Sequence, residues 1–209
     1  NDQYDFGPVF EEIKEYIANS DLALCNLETT ISTPERGYSG YPLFKTPEEL
    51  IPAIKDAGFD VVTTANNHSL DAKEFGVINT LDVLDKYGLM HTGTARDEEE
   101  SRDILMVERK GIQLGILAYT YGTNGMEAAV DQDKLEYLVN YIELDKMRED
   151  VNRARQAGAD AIIVCMHWGV EYSRTVGEEQ ERLADELFSA GADIILGSHP
   201  HVIQTMERK

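Results

Sequence analysis

Four of the five histidines of this chain fall in three short segments, and each segment follows an apolar run typical of a strand. The segments are Ala-Asn-Asn-His at residues 65–68, His-Trp-Gly-Val-Glu at 167–171 and Gly-Ser-His-Pro-His at 197–201. In α/β proteins, the loops at the carboxyl ends of the strands meet in one crevice and carry the chemistry. The three segments together therefore predict a metal site.

A fourth apolar run, residues 22–25, is followed by Asn26, Leu27 and Glu28, which adds a carboxylate to the same edge. Imidazole nitrogens, carboxylates and amide oxygens form the mixed ligand set that zinc, manganese and iron accept, and a carboxylate can bridge two ions. We therefore expect divalent metal ions as cofactors, with two in the intact protein.

The pair His199 and His201 is the strongest single ligand candidate. Residues at i and i+2 of an extended chain point to opposite faces, but Pro200 bends the path so that both imidazoles can converge. The alternative is that both histidines face solvent in a loop. His68 and His167 are weaker candidates when each is taken alone, because ordinary hydrogen bonds satisfy most single histidines.

Alternating apolar periodicities indicate the elements that position these segments. Helices are predicted over residues 8–19, 47–57, 71–87, 144–157 and 177–190. Strands are predicted over residues 22–26, 60–64, 89–92, 104–108, 113–119, 161–166 and 193–196, with a hairpin turn at 109–112 and a long loop over 29–45. This order predicts an α/β protein with a largely parallel sheet, packed helices and antiparallel hairpin strands.

A phrase ending in Ala-Gly-Phe-Asp or Ala-Gly-Ala-Asp occurs at residues 57–60, 157–160 and 190–193. Each copy lies where a predicted helix gives way to a strand, so its glycine is expected in the left-handed conformation that ends a helix. The glycines near Gly93 and Gly122 lack the strand, loop and helix order of a phosphate-binding loop.

The balance of acidic and basic residues limits the classes of binding partner. The 39 acidic and 19 basic residues give a formal charge of -20, which argues against nucleic acid or an anionic membrane surface as a partner. No stretch approaches the roughly 20 apolar residues of a transmembrane helix. Cys25 and Cys165 end apolar runs and are interpreted as small buried side chains, because two cysteines define no disulfide framework.

Four motifs resemble those of the CapA family of bacterial capsule and poly-gamma-glutamate biosynthesis proteins. They are Asn-Leu-Glu-Thr at 26–29, Ala-Asn-Asn-His-Ser-Leu-Asp at 65–71, His-Trp-Gly-Val-Glu at 167–171 and Gly-Ser-His-Pro-His at 197–201. Intervening phrases at 44–47, 57–60 and 91–94 match as well, so the resemblance spans nearly the whole chain. The family is similar to calcineurin-like metallophosphoesterases, which implies a four-layer α/β/β/α sandwich with a two-metal centre.

The resemblance also implies roles for individual residues. Glu28 would bridge the metals, Asn67, His167 and His199 would ligate the second metal, and His201 the first. His68 would assist the leaving group. Further residues would orient these ligands or contact substrate: Asn26, Asn66, Asp71, Trp168 and Glu171. Asp71 and Glu171 are equally well interpreted as a helix N-terminal acid and a solvated acid, and Trp168 as a core side chain.

Two departures from the family affect the expected mechanism. The family opens with a Gly-Asp segment whose Asp would ligate the first metal, and this chain begins after it. Glu28 stands in place of Asp and lengthens the bridge by one methylene group. The resemblance thus implies a single domain over residues 1–209 that lacks its first strand and ends before the family's last strands.

Three functions remain open. The chain is a metal-dependent hydrolase of a phosphoester or envelope polymer bond, a non-catalytic accessory subunit of a poly-gamma-glutamate synthesis and export complex, or a structural protein. An anionic polymer would be repelled by the net charge unless metal or a local basic patch offset it. The resemblance further implies an extracytoplasmic protein, anchored to the membrane through a segment absent from these residues.

Overall fold

The computed structural model of this protein describes residues 4–208. Its strands are β1 (Leu24–Asn26), β2 (Thr30–Ile31), β3 (Lys45–Thr46), β4 (Val61–Thr63), β5 (Met90–Thr92), β6 (Leu105–Arg109), β7 (Ile112–Thr120), β8 (Ala161–His167) and β9 (Ile194–Ser198). Its α-helices are α1 (Gly7–Phe10), α2 (Lys14–Ala18), α3 (Leu50–Ala57), α4 (Lys73–Lys86), α5 (Gln132–Leu138), α6 (Leu144–Gln156) and α7 (Glu178–Ala190). Two 3₁₀ turns span Glu100–Arg102 and Met126–Ala129.

The strands form two main sheets and one small sheet. The first sheet has the order β1-β4-β5 and is parallel throughout. The second has the order β6-β7-β8-β9, in which only the β6–β7 pair is antiparallel. Strands β2 and β3 form a separate parallel pair. This topology confirms the prediction of an α/β protein with mostly parallel strands and an antiparallel hairpin.

Helices α3 and α4 pack on one face of the first sheet. Ile54 of α3, Leu81 of α4 and Val62 of β4 belong to one buried cluster. Val61, one residue away on β4, points to the opposite face and packs against Ile116 of β7 in the second sheet. The alternation of side chains along a strand thus gives the first sheet one helix-facing and one sheet-facing side.

The second sheet repeats this arrangement in mirror order. Val164 of β8 packs with Val151 of α6 and Leu187 of α7. Ile163 and Cys165, its neighbours on β8, face the first sheet instead. The layers are therefore helix, sheet, sheet and helix, which is the four-layer order that the resemblance implied. A strand buried on both faces explains why residues 161–166 form an unbroken apolar run.

Turns fall where the sequence predicts them. Lys110 and Gly111 link β6 to β7 and have φ values of 52° and 81°, as a two-residue hairpin turn requires. The glycines of the three Ala-Gly phrases have φ values between 97° and 108°: Gly58, Gly158 and Gly191. In each phrase the Asp carboxylate accepts a hydrogen bond from the backbone N–H of a neighbouring strand or its approach: Asp60 from Ala23, Asp160 from Gln113 and Asp193 from Ile162.

Three segments differ from the sequence-based prediction. The helix predicted over residues 8–19 is interrupted by a turn and forms two short helices, α1 and α2, whose side chains are not buried. The predicted loop over 29–45 contains β2 and leads into β3. Helix α5 was not predicted. All three are short elements, whose apolar periodicity is too brief to be read.

Across residues 4–208, no helix has both the length and the apolar character needed to cross a membrane.

Candidate metal centre

The candidate site lies at the carboxyl ends of parallel strands from both main sheets. Glu28 follows β1 and His68 follows β4 of the first sheet. His167 is the last residue of β8, and His199 follows β9 in the second sheet. His167 pairs in register with Ser198, so the two histidine segments of this sheet start at the same level. Strand direction alone brings these loops to one end of the molecule.

The histidine rings and Glu28 converge. The ring centroids of His167 and His199 are 4.9 Å apart, and those of His199 and His201 are 6.2 Å apart. The Oε1 atom of Glu28 lies 3.7 Å from Nε2 of His167 and 3.7 Å from Nε2 of His201. Glu28, His167 and His199 each offer a ligand atom within 4.8 Å of the others, as do Glu171, His199 and His201. Both triplets share His199.

The backbone around Pro200 brings two of these rings inward. His199 and His201 have φ values of 91° and 53°, a left-handed region that residues other than glycine rarely adopt. A backbone of this kind costs free energy and persists where the surroundings fix it, commonly at functional sites. His199 is buried and His201 is exposed.

The two buried imidazole rings are in the neutral state that a metal ligand needs. Burial, reinforced by the neighbouring His199 and His201, lowers the pKa of His167 to about 3. Burial also lowers the pKa of His199, against an opposing effect of Glu171. Both imidazoles are therefore neutral at pH 7, and a neutral imidazole keeps the lone pair that a metal ion needs.

One buried polar atom supports the fit of a cation directly. The Nδ1 atom of His199 is buried and has no hydrogen-bond partner among the described residues. A buried nitrogen of this kind is costly unless it is paired, and an ion would supply the partner. Together with the imidazole and carboxylate donors around it, this atom makes the residues present a fitting set for a divalent transition metal.

Two asparagines hold Glu28. The Nδ2 atom of Asn26 donates to Oε2 of Glu28 at 3.1 Å. Asn66, fully buried, donates to Oδ1 of Asn26 at 3.2 Å and to the carbonyl oxygen of Leu27 at 2.7 Å. Burial raises the pKa of Glu28 above its ordinary value, and His201 and His68 partly offset this rise. The hydrogen bonds of Asn26 and Asn66 therefore hold the Glu28 carboxylate in one position.

Two further contacts fix the ring of His167. Its Nδ1 atom lies 2.9 Å from the Ser198 hydroxyl, and its Nε2 atom lies 2.9 Å from Oδ1 of Asn67. Asn67 is buried, and its Nδ2 atom donates to Oδ1 of Asn124 at 3.5 Å. Asn67 and His167, which lie 100 positions apart in the chain, thus meet across the two sheets.

His68 stands at the side of the site next to the β2–β3 region. Its Nδ1 atom lies 2.7 Å from Oδ2 of Asp71, and its ring packs edge-on against Phe44 at 4.5 Å between centroids. The same Asp71 oxygen accepts a hydrogen bond from the backbone N–H of Phe44 at 2.6 Å. Asp71 therefore fixes both the ring of His68 and the loop that covers it.

Of the residues predicted from the sequence, Trp168 alone lies elsewhere in the described part of the chain. Its side chain is buried with Leu183 and Leu187 on the helix-facing side of the second sheet. Alternation along β8 explains this placement, because Trp168 directly follows His167 and points to the other side. Glu171 is exposed but close enough to His199 and His201 to offer a ligand atom.

Sequence reasoning missed Tyr121, Asn124 and Ser198. Tyr121 and Asn124 belong to the segment Tyr-Gly-Thr-Asn-Gly at residues 121–125, directly after β7. The Tyr121 ring lies 4.7 Å from that of His199 and 6.3 Å from that of His167. The signal was available, because this segment also follows the carboxyl end of a parallel strand.

The sequence of the chain is similar to those of known bacterial proteins. A family model described as bacterial capsule synthesis protein matches residues 1–209. The chain is 28% identical to a capsule biosynthesis protein CapA of Bacillus anthracis, over 98% of this chain and 51% of that protein. It is 27% identical to a PGA biosynthesis protein CapA of Bacillus subtilis, over 95% of this chain and 52% of that protein.

A third relative bears a different description. The chain is 27% identical to a protein of Mycobacterium tuberculosis named as a probable polyglutamine synthesis accessory protein, over 87% of this chain and 50% of that protein. The chain spans about half the length of these relatives.

Proposed function

Because the chain belongs to the family of bacterial capsule synthesis proteins, we propose that it is a metal-dependent hydrolase acting on a phosphoester or a γ-glutamyl amide in capsule or poly-gamma-glutamate biosynthesis. The observation that carries this proposal is the convergence of Glu28, His167 and His199, whose ligand atoms lie within 4.8 Å of one another. The buried Nδ1 atom of His199, which has no hydrogen-bond partner among the described residues, supports it.

The ligands we propose are Glu28, Asn67, His167, His199 and His201. These residues would hold a divalent ion, whose chemistry there would be to polarise the phosphoryl or carbonyl oxygen of the substrate and to lower the pKa of a bound water toward neutrality. The Oε1 atom of Glu28 lies 3.7 Å from Nε2 of His167 and 3.7 Å from Nε2 of His201, which supports the proposal that Glu28 would be shared by two ions. The charge of the ions would also offset the acidic field that repels an anionic substrate from a protein of net charge -20.

His68 is the proposed proton donor to the leaving group, which is the alcohol oxygen of a phosphoester or the nitrogen of an amide. Asp71 accepts the Nδ1 hydrogen of His68, which leaves Nε2 as the ring atom that exchanges a proton with substrate. Phe44 packs against this ring and limits the access of water to it. The side chains Asn26 and Asn66 hold Glu28 in place, and Ser198 holds the ring of His167.

The first test of the proposal is whether the protein binds metal, and its activity is tested afterwards. We expect about one to two equivalents of manganese or zinc in wild-type protein, by elemental analysis after dialysis. Glu28→Gln and His199→Ala should each weaken binding about 10- to 100-fold or abolish it. His91→Gln is the matched control, because His91 pairs with Asp85 and lies outside the site. Folded wild-type protein that takes up neither metal would overturn the proposal.

Metal-loaded protein is then assayed for hydrolysis of aryl phosphoesters and of γ-glutamyl peptides. His68→Ala should lower kcat about 100-fold or more with little change in metal content. Hydrolysis that is equally fast with His68→Ala would remove His68 from the mechanism.

A second candidate function is a non-catalytic accessory subunit that uses this fold to bind components of a poly-gamma-glutamate synthesis complex. The mycobacterial relative, which is named as a probable polyglutamine synthesis accessory protein, favours an accessory role. Metal-free, folded and inactive protein that still associates with such a complex would establish this function instead. The extracytoplasmic location and membrane anchor implied by the family resemblance stay predictions.

A further inference from the structure

We propose that Tyr121 and Asn124 form an oxyanion-binding arm of the metal centre, in which the Tyr121 hydroxyl and the Asn124 amide donate hydrogen bonds to an acidic oxygen of the substrate. This inference rests on the proposed function and specifies how an anionic substrate is held. Neither residue is among the proposed metal ligands.

The position of Tyr121 is fixed by the backbone. Its N–H donates to the carbonyl oxygen of His167 at 3.0 Å. Its ring stacks nearly parallel to the His167 ring, at an interplanar angle of 8°, and lies 4.7 Å from the His199 ring. The ring therefore forms a wall of the site beside two proposed ligands. About 46% of the residue remains exposed, so this wall faces space that a substrate can enter.

The hydroxyl of Tyr121 faces the amide side chains of Asn67 and Asn124. It lies 3.5 Å from Oδ1 of Asn124, at the long limit for a hydrogen bond. The Asn124 oxygen is shared with Nδ2 of Asn67, also at 3.5 Å. The phenol hydroxyl carries one proton, which it can direct to a ligand oxygen.

Asn124 completes the arm. Its Oδ1 atom faces Asn67 and Tyr121, and no described residue accepts a hydrogen bond from its amide nitrogen. Asn124 has a φ of 54° and Gly125 a φ of 80°, so two successive left-handed residues set the direction of the side chain. Asparagine tolerates this conformation better than most residues.

Hydrogen bonds of Thr120 and Thr123 hold the loop that carries the arm. Thr123 is fully buried, and its hydroxyl donates to Glu127 at 2.6 Å and lies 3.0 Å from the Tyr141 hydroxyl. The Thr120 hydroxyl donates to the carbonyl oxygen of Gly122 at 3.0 Å. Donors held in this way do not need to reorganise when a ligand binds, which makes each hydrogen bond more effective.

The charges of the side chains in the site explain why the hydrogen bonds to an anionic group come from neutral donors. The side chains that meet there are imidazoles, amides, carboxylates and one phenol, and none of those identified in the described chain is a lysine or an arginine: Glu28, Asn67, His68, Tyr121, Asn124, His167, Glu171, His199 and His201. The bound ions would supply the positive charge for an anionic group. The protein would supply direction, through hydrogen bonds from Tyr121 and Asn124.

The experiment is a calorimetric titration in two stages. Manganese is titrated first into wild type, Tyr121→Phe and Asn124→Gly to find the concentration at which each protein is fully metal-loaded, because both side chains also contact the proposed ligand Asn67. Tyr121→Phe keeps the ring wall, and Asn124→Gly keeps a residue that accepts positive φ. Tyr172→Phe is the matched control, since Tyr172 is exposed and lies 6.0 Å from the His201 ring, outside the arm.

Inorganic phosphate and the dipeptide γ-glutamyl-glutamate are then titrated into each metal-loaded protein. Loss of one hydrogen bond should weaken binding about 5- to 15-fold in Tyr121→Phe and Asn124→Gly, and leave Tyr172→Phe unchanged. A loss confined to phosphate assigns the arm to phosphoryl groups, and a loss confined to the dipeptide assigns it to carboxylates.

Two results would overturn the inference. Unchanged affinities of both variants for both probes, or no binding of either probe to metal-loaded wild type, would show that the arm holds no oxyanion, while metal binding would leave the proposed function standing. Wild-type protein that binds no metal would overturn both.

Discussion

The Nδ1 atom of His68 lies 2.7 Å from the Oδ2 atom of Asp71, and the two side chains are 10% and 0% exposed. The same Asp71 oxygen accepts the backbone N–H of Phe44 at 2.6 Å. One buried carboxylate oxygen thus joins a residue at the end of β4 to the loop before β3, and orients the ring that faces the candidate metal centre.

Two replacements of Asp71 distinguish the loss of its hydrogen-bond acceptor from the loss of its negative charge. Asp71→Ala should lower the free energy of unfolding by about 2–3 kcal/mol, because the buried His68 ring N–H and the partly buried Phe44 N–H lose their acceptor. Asp71→Asn keeps an oxygen and should cost about 1 kcal/mol. Urea unfolding measures both values, and nitrogen NMR of the His68 ring reports its tautomer. Equal destabilisation by the two variants would contradict the role of the acceptor.

Gly93 has no room for a side chain. Its φ is 118°, and an added Cβ atom would lie 2.6 Å from the backbone nitrogen of Ala65 and 2.7 Å from the Ala65 Cβ. Gly93→Ala should therefore lower the free energy of unfolding by about 3 kcal/mol or more and displace the segment that carries Asn67 and His68. Thermal and urea unfolding with metal titration would measure both effects.

Gly40 provides the control for this substitution. It has no atom within 4 Å of an added Cβ. Gly40→Ala should leave stability unchanged or raise it by up to about 1 kcal/mol, since alanine restricts the unfolded chain. Similar losses at Gly93 and Gly40 would argue against the close approach of Gly93 and Ala65.

Asp150 is a buried anchor of α6. It accepts hydrogen bonds from the Tyr119 hydroxyl at 2.8 Å, from Lys146 at 2.8 Å and from Arg153 at 2.9 Å. Asp150→Ala should lower the free energy of unfolding by about 2–4 kcal/mol, largely because the buried Tyr119 hydroxyl loses its acceptor.

A double-mutant cycle measures the hydrogen bond between Tyr119 and Asp150 separately from the other contacts of Asp150. Tyr119→Phe in the Asp150→Ala background should cost at least about 1 kcal/mol less than it costs in wild type. Glu149→Ala, an exposed change on the same helix, should stay within about 0.5 kcal/mol of wild type. Strict additivity of the two substitutions would exclude the coupling.

Both cysteines should be unreactive while the chain is folded. Burial raises the pKa of the Cys25 and Cys165 thiols from 9.0 to about 12. Since the thiolate is the reactive form, alkylation at pH 8 should be at least about 100-fold slower in native protein than in urea. Mass spectrometry after timed alkylation gives both rates, and comparable rates would show that the thiols are accessible.

The same shift has a consequence for stability. Folded-state pKa values above the unfolded value mean that both thiols favour the folded chain below pH 9, and that this contribution is lost as pH rises from about 9 to about 12. Replacement of Cys165 by alanine should reduce the fall in the urea midpoint over that range.

The sequence by itself determined the order of the elements and one end of the molecule as the place for the chemistry. Alternation of helical and strand periodicities predicted mostly parallel strands with packed helices, in one sheet where the structure has two main sheets, and the glycines of the Ala-Gly phrases marked the ends of helices. The histidine segments were correctly placed at the carboxyl ends of β4, β8 and β9. These conclusions follow from local properties: apolar period, turn chemistry and chain direction.

Only the tertiary structure decided which side chains meet there. Sequence spacing left Trp168 with two roles, and the pleat of β8 turned it toward the helices. It gave no indication that Asn67 contacts His167, or that Tyr121 lies against His199. Such contacts depend on the order of the strands, on the packing of one sheet against the other and on the backbone conformation of each loop, and these are fixed by the whole fold at once.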